Sequence, residues 1–333
     1  MRRAPIPRLC VAATVVALCT LQSARALDLN QYPEMNVFID EMVSVHGFSA
    51  QELRSIFAQV TLSDKVLKAI RRPAERLPWY RYRKLLVTDR QVTDGVKFWR
   101  EHETTLDRAT QQFGVPPQIV VAIIGVETRY GRVSGNHSVI NALTTLMLGY
   151  PRRSEFFRSE LEQYLLLTRE EELDPMAING SYAGAMGVPQ FISSSYRRYA
   201  VDFNGDDRRD LISDPLDAIG SVANYLHAHK WRRDEPVASD VQVPEDLALD
   251  AMISSGFETT TTITRLHELG LRTDAELSGD SSASLVRLDG DSSPVYRIAF
   301  DNFYVITRYN HSLLYAMAVY ELSRQIEQEY STL

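Results

Sequence analysis

Residues 114–131 read Gly-Val-Pro-Pro-Gln-Ile-Val-Val-Ala-Ile-Ile-Gly-Val-Glu-Thr-Arg-Tyr-Gly, and this stretch decides the fold. Pro116 or Pro117 suits a first helical turn and Gly131 the position just past a helix end. Ile119, Val120, Ile123, Ile124 and Glu127 follow the three-and-four spacing of one helix face, which predicts a short helix with a glutamate on its apolar stripe. A carboxyl group carried into an apolar wall has its charged form disfavoured, so it is expected to hold a proton near neutral pH. That is the state a general acid needs to cleave a glycosidic bond. Alone, a glutamate near a helix end is more often a solvated or ion-paired group, with Arg129 and Arg132 at hand as partners.

Outward from this helix the pattern is mostly helical. Upstream, Ser49-Ala-Gln-Glu52 is a capping box, Ser63-Asp64 starts another helix, Pro73 and Pro78 interrupt, and a longer helix is expected from Thr93 to Phe113. Downstream, Ser154 to Glu172 and Pro215 to His229 are helical, and Arg232 to Asp246 is polar enough for a linker. Glycines 180, 184 and 187 with Pro189 break the pattern and predict a loop whose backbone passes close to something. Leu285–Leu288 and Val295–Ala299 flank a turn and predict a hairpin in a small β-containing insert, before a terminal helix over 310–330. The expectation is an α+β chain, predominantly α-helical, without internal repeats.

Residues 1–26 look like a signal peptide. Arg2, Arg3 and Arg8 precede an apolar run from Leu9 to Leu21, and Ala24-Arg25-Ala26 fits a cleavage site. The run is short for a membrane span. Val16-Ala-Leu-Cys19 superficially resembles a lipoprotein box, but Leu18 stands where a small residue belongs, so an outer-membrane lipid anchor is the weaker reading. Both cysteines, Cys10 and Cys19, lie in this segment, which leaves burial, helix packing and a bound metal to stabilise the rest. Loss of its four arginines takes Lys and Arg from 36 to 32 against 43 Asp and Glu, moving the net charge from −7 to −11. Such a chain has no electrostatic claim on nucleic acid or anionic lipid, so its ligand must be met by a local groove.

Asp202-Phe-Asn-Gly-Asp-Asp-Arg208 carries side-chain oxygens at the first, third and fifth places of an EF-hand loop, from Asp202, Asn204 and Asp206. Arg208 at the seventh can offer only its carbonyl. Asp207 stands where glycine is usual and Ser213 where a bidentate glutamate would close the site, leaving Asp217, or less favourably Asp214, to close a longer loop. The plain alternative is a solvated turn capping the helix that starts near Pro215.

Three blocks together resemble the lytic murein transglycosylase B family, periplasmic enzymes with a lysozyme-like core. They are Gly125-Val-Glu-Thr-Arg-Tyr-Gly131, Gly180-Ser-Tyr-Ala-Gly-Ala-Met-Gly-Val-Pro-Gln-Phe191 and Asn302-Phe-Tyr-Val-Ile-Thr-Arg-Tyr-Asn310, with Pro78–Arg83 and Tyr150–Arg153 adding to the match. The resemblance implies a helical domain over 27–113, a lysozyme-like core with an EF-hand-like loop over 114–235, a β-containing insert over 236–300, and a groove strand or loop with a terminal helix over 301–333. It makes Glu127 similar to the family's sole catalytic carboxylate. Arg152, Arg153, Ser181, Gln190, Tyr225, Tyr304 and Tyr309 fall on positions like those lining its glycan groove, and Tyr82 looks like a further wall.

Each of these has a structural alternative: Ser181 and Gln190 could tie down loop backbone, and the tyrosines could be core residues with satisfied hydroxyls. The resemblance also implies a structural calcium at Asp202, Asn204, Asp206, Arg208 and Asp217, and no cofactor for catalysis. The implied substrate is the peptidoglycan glycan strand, cleaved without water to leave 1,6-anhydromuramyl ends, with protein partners unspecified. A hydrolytic muramidase, which needs a second carboxylate, and a non-catalytic glycan-binding protein are the rivals.

Overall fold

The computed structural model describes residues 25–71, 77–244, 256–273 and 277–332, with Leu247, Leu249 and residues 252–254 between them. The signal-peptide reading, apart from Arg25 and Ala26, lies outside these residues, as do both cysteines and Pro73.

A short β1 (Arg25–Ala26) pairs antiparallel with β2 (Thr61–Leu62), and between them run α1 (Pro33–His46) and α2 (Ala50–Gln59). The Ser49 side chain accepts the Glu52 amide and Ser63 the Val66 amide, so both predicted caps form, the second opening α3 (Asp64–Ala69). Next come α4 (Trp79–Leu86), α5 (Asp89–Glu101) and α6 (Glu103–Phe113). The single helix expected over 93–113 is therefore two, broken at His102, which leaves helical dihedrals (φ −122°, ψ 22°) and serves as C-cap of one and N-cap of the other.

The helix α7 (Pro117–Thr128) is buried almost all round, with Ile119 to Gly125 each inaccessible, rather than along one stripe as the spacing predicted. A helix apolar on every side belongs in the centre of a core, and α5, α6, α11 (Pro215–Ala228) and α14 (Leu313–Thr332) pack around it. It stops three residues before Gly131: Arg129, Tyr130 and Gly131 are all left-handed (φ 51°, 62° and 80°). Two short strands, β3 (His137–Ser138) and β4 (Asn179–Gly180), pair across α8 (Val139–Gly149) and α9 (Ser154–Glu170). The first of these helices was not predicted, because its buried residues occupy every face and leave no amphipathic signature.

The chain continues through α10 (Ser193–Tyr199) and α11 (Pro215–Ala228) into β5 (Ala238–Asp240), a strand where a linker was expected. With β6 (Thr261–Thr262), α12 (Ile263–Glu268), β7 (Ser282–Leu288) and β8 (Val295–Ala299) it builds an antiparallel sheet of order β5-β8-β7-β6. The predicted hairpin is present, with Leu285 opposite Ile298. Its inward face joins Leu249, Ile263, Leu266 and Phe300 in a small core of its own. Where a groove strand or loop was expected after residue 300, the chain forms a helix, α13 (Asp301–Tyr309), and α14 (Leu313–Thr332) ends the fold.

The large core includes Leu27, Phe38 and Trp99 together with residues of α7 and α14. Among the described residues no helix is long and apolar enough to cross a membrane.

Candidate active site

The block Gly125–Gly131 is a self-contained lock. Tyr130 folds back so that its hydroxyl donates to the Gln91 carbonyl (2.6 Å) while the Gln91 amide donates to the Gly125 carbonyl (3.1 Å). A Cβ at Gly125 or Gly95 would lie 2.6 Å from the Tyr130 hydroxyl, so both helices are glycine where the ring lies. Thr128 ties this end to the glycine loop: its hydroxyl lies 2.8 Å from the Val188 carbonyl and accepts the Gly131 amide (2.9 Å).

The loop over 180–192 closes on backbone. Met186 and Phe191 exchange amide hydrogen bonds, and Val188 N–H donates to the Leu211 carbonyl (2.7 Å). Gly187 is left-handed (φ 74°), and a side chain there would collide with that same Leu211 carbonyl. What Gly187 lets the loop approach is thus the segment behind the acidic turn.

Glu127 lies in the last turn of α7, half-buried, and accepts a 2.6 Å hydrogen bond at Oε1 from the Tyr315 hydroxyl in the first turn of α14. Burial, and next the charge of Glu127, push the Tyr315 hydroxyl well above its ordinary range, so it stays a neutral donor. Tyr309 is shifted the same way by the same two causes and donates to the Pro189 carbonyl (2.7 Å). Tyr225 donates to the Arg308 carbonyl (2.6 Å), and its ring meets that of Tyr309 edge-on at 4.9 Å. Phe191 joins both rings, so an aromatic chain runs from the glycine loop to Glu127. The charges acting most on Tyr309 and Tyr315 are those of Glu127 and of neighbouring tyrosines.

The predicted residues divide. Tyr225, Tyr309 and Gln190 converge on the glycine loop; Gln190 is left-handed (φ 51°), and its amide donates to the Ser134 and Gly187 carbonyls (both 3.0 Å). Tyr82 is buried and acts electrostatically on Tyr315. Ser181 Oγ accepts the amides of Ala183 (3.2 Å) and Ala185 (3.0 Å), so it does organise the loop. Tyr304 is buried, and its hydroxyl has no hydrogen-bond partner among the described residues. Arg152 and Arg153 are exposed in a 3-10 turn, the latter 4.0 Å over the Phe156 ring. Tyr315 was missed. It hydrogen-bonds Glu127, but 188 residues separate the two and its local pattern is that of an ordinary packed helix.

In the acidic turn, carboxylate oxygens of Asp202, Asp206 and Asp217 all lie within 4.8 Å of one another. Asp217 is fully buried; one oxygen accepts the amides of Phe203 (2.7 Å) and Asn204 (3.2 Å), the other that of Asp210 (2.8 Å). Burial raises its pKa against the pull of those donors. Asp202 is shifted down by backbone donors, Gly205 first. Asp207 takes a left-handed φ of 67° where an EF-hand has glycine, a conformation aspartate tolerates. The Asn204 amide donates to Asp206 (3.0 Å) and to Asp214 (2.6 Å), the latter also capping α11.

The family model for the transglycosylase SLT domain matches residues 30–324. The chain is 45% identical over 311 residues to membrane-bound lytic murein transglycosylase B of Escherichia coli (strain K12), covering 90% of this chain and 84% of that protein. Soluble lytic transglycosylase SltB1 from Pseudomonas aeruginosa superposes with a TM-score of 0.85 at 44% identity, covering 90% of this chain and all of that one. The Escherichia coli lytic transglycosylase Slt35 in complex with calcium gives 0.84 at 45% identity, covering 91% and 96%.

Proposed function

The chain belongs to the transglycosylase SLT domain family, and from that premise we propose that it cleaves the β-1,4 bond between N-acetylmuramic acid and N-acetylglucosamine with Glu127 as its only carboxyl. Glu127 protonates the bridging oxygen. The muramyl acetamido oxygen supports the positive charge developing at C1, and Glu127, now ionised, takes the proton from the muramyl C6 hydroxyl as the 1,6-anhydro ring closes. No water enters, and the carboxyl ends as it began. The observation that carries this reading is the Tyr315–Glu127 hydrogen bond in a setting of neutral tyrosines. An O–H donated to a carboxylate favours the ionised form that the second step needs, and it fixes the carboxyl for the first.

The groove is lined by Tyr82, Tyr225, Tyr304, Tyr309, Gln190 and Ser181, with Arg152 and Arg153 further out. The Tyr304 hydroxyl supports this, since a buried polar atom without a partner is costly and a sugar hydroxyl would supply one. Calcium held by Asp202, Asn204, Asp206, the Arg208 carbonyl and Asp217 fixes the turn; three converging carboxylates suit a hard cation with oxygen ligands. It has no part in the chemistry. The enzyme works in the periplasm, delivered by the segment over 1–26.

Mass spectrometry of fragments from purified sacculi tests this. Chains ending one water lighter than a hydrolysed end are expected from the wild type, and their release should fall about a thousandfold with Glu127→Gln. Hydrolysed ends, or full turnover by a folded Glu127→Gln protein, would overturn it.

A further inference from the structure

The cavity beside the end of α7 is not used by this chemistry. Arg90, Arg129 and Arg132 line it together with Asp94, Leu85 and Val133, enclosing about 290 Å³. Arg132 pairs with Asp94, and Arg90 approaches the same carboxylate at 3.6 Å. One carboxylate therefore faces three guanidiniums, leaving two positive charges in a chain of net charge −7. Arg129 is exposed, and its side chain has no hydrogen bond or ion pair among the described residues. Leu85 and Val133, 53% and 56% exposed, add an apolar rim. Two chain segments tie the cavity to the reacting carboxyl: Arg129, the residue that caps the end of α7, follows Glu127 by two positions, and Leu85 follows Tyr82 by one turn on α4.

A sugar calls for aromatic platforms. A cationic floor with an apolar rim suits instead a short peptide bearing carboxylates and small alkyl side chains. We propose that Arg129, with Arg132 and Arg90, forms a subsite for the carboxylates of the peptide stem borne by the muramyl residue. This rests on the glycan-cleaving role given above. The guanidiniums hold the stem, so the site selects peptide-bearing strands over bare ones and has no part in bond cleavage.

The test compares peptide-bearing glycan strands with the same strands stripped of peptide by an amidase, following anhydro-end release by the full chain. Arg129→Gln/Arg132→Gln should lose about tenfold in kcat/KM on peptide-bearing strands, the scale of one charge-assisted contact, with bare strands cleaved as by wild type. Arg129→Lys should keep most of the peptide-bearing rate. An equal change on both substrates, or none on either, would overturn the subsite alone. A wild type that releases no anhydro ends from either substrate would overturn the parent reading as well.

Discussion

Glu127 and Asp217 are both carboxyl groups built into helix ends, and they are held in opposite ways. Asp217 lies in the first turn of α11, at the end whose dipole favours an anion, and three backbone amides from Phe203, Asn204 and Asp210 grip it. Glu127 lies in the last turn of α7, where the dipole opposes an anion, and it accepts a hydrogen bond from a side chain, Tyr315. Backbone donors cannot move without unfolding the turn, so Asp217 is fixed in place. A phenol can follow a change of protonation, so Glu127 can lend a proton and take one back. The contrast separates a carboxyl that organises structure from one suited to react.

The largest effect expected from breaking this contrast is at Glu127. Glu127→Gln should lower anhydro-end release by about a thousandfold, the range of a general acid–base group, with a melting temperature close to wild type. Saturating calcium should next add about 2.7 kcal/mol at a hundredfold excess over its Kd, read as a rise in melting temperature after chelator treatment. Asp217→Asn should abolish that rise. In the absence of metal it should also cost about 1–3 kcal/mol, because an amide cannot accept all three N–H groups.

Tyr315→Phe should lower kcat about tenfold with KM little changed. The alkaline limb of its pH–rate profile should move to higher pH, since the ionised carboxyl loses its donor. The smallest effect is on stability against pH. The pKa of Asp217 is raised in the fold, so its contribution favours the native state at low pH and fades as pH climbs from 3.8 through the folded value. Calcium, which favours the ionised form, should flatten that decline in thermal melts followed from pH 4 upward.

What could be read from the residues was local. Caps at Ser49 and Ser63 and the 285–299 hairpin follow from short-range rules and form as expected. Glu127 stood out because a charged group in an apolar helix is conspicuous in one dimension. The misses came where tertiary packing overrides local pattern. Buried on all sides, α8 shows no periodicity; 301–309, rich in β-branched and aromatic residues, coils into a helix because Asn302 is clamped to the Arg232 and Glu235 backbones and its neighbours face the core. Tyr315 could be found only from space, since nothing in an ordinary helix start marks which neighbour its hydroxyl will meet.

The phenol of Tyr130, seated where Gly95 and Gly125 lack side chains, makes three distant codons a single heritable unit. Enlarging either glycine alone is lethal to the fit, and removing the ring alone leaves a void, so evolution can alter this part of the wall around the active centre only by paired changes. A screen for second-site suppressors of Gly125→Ala should therefore return to Tyr130 before any other position.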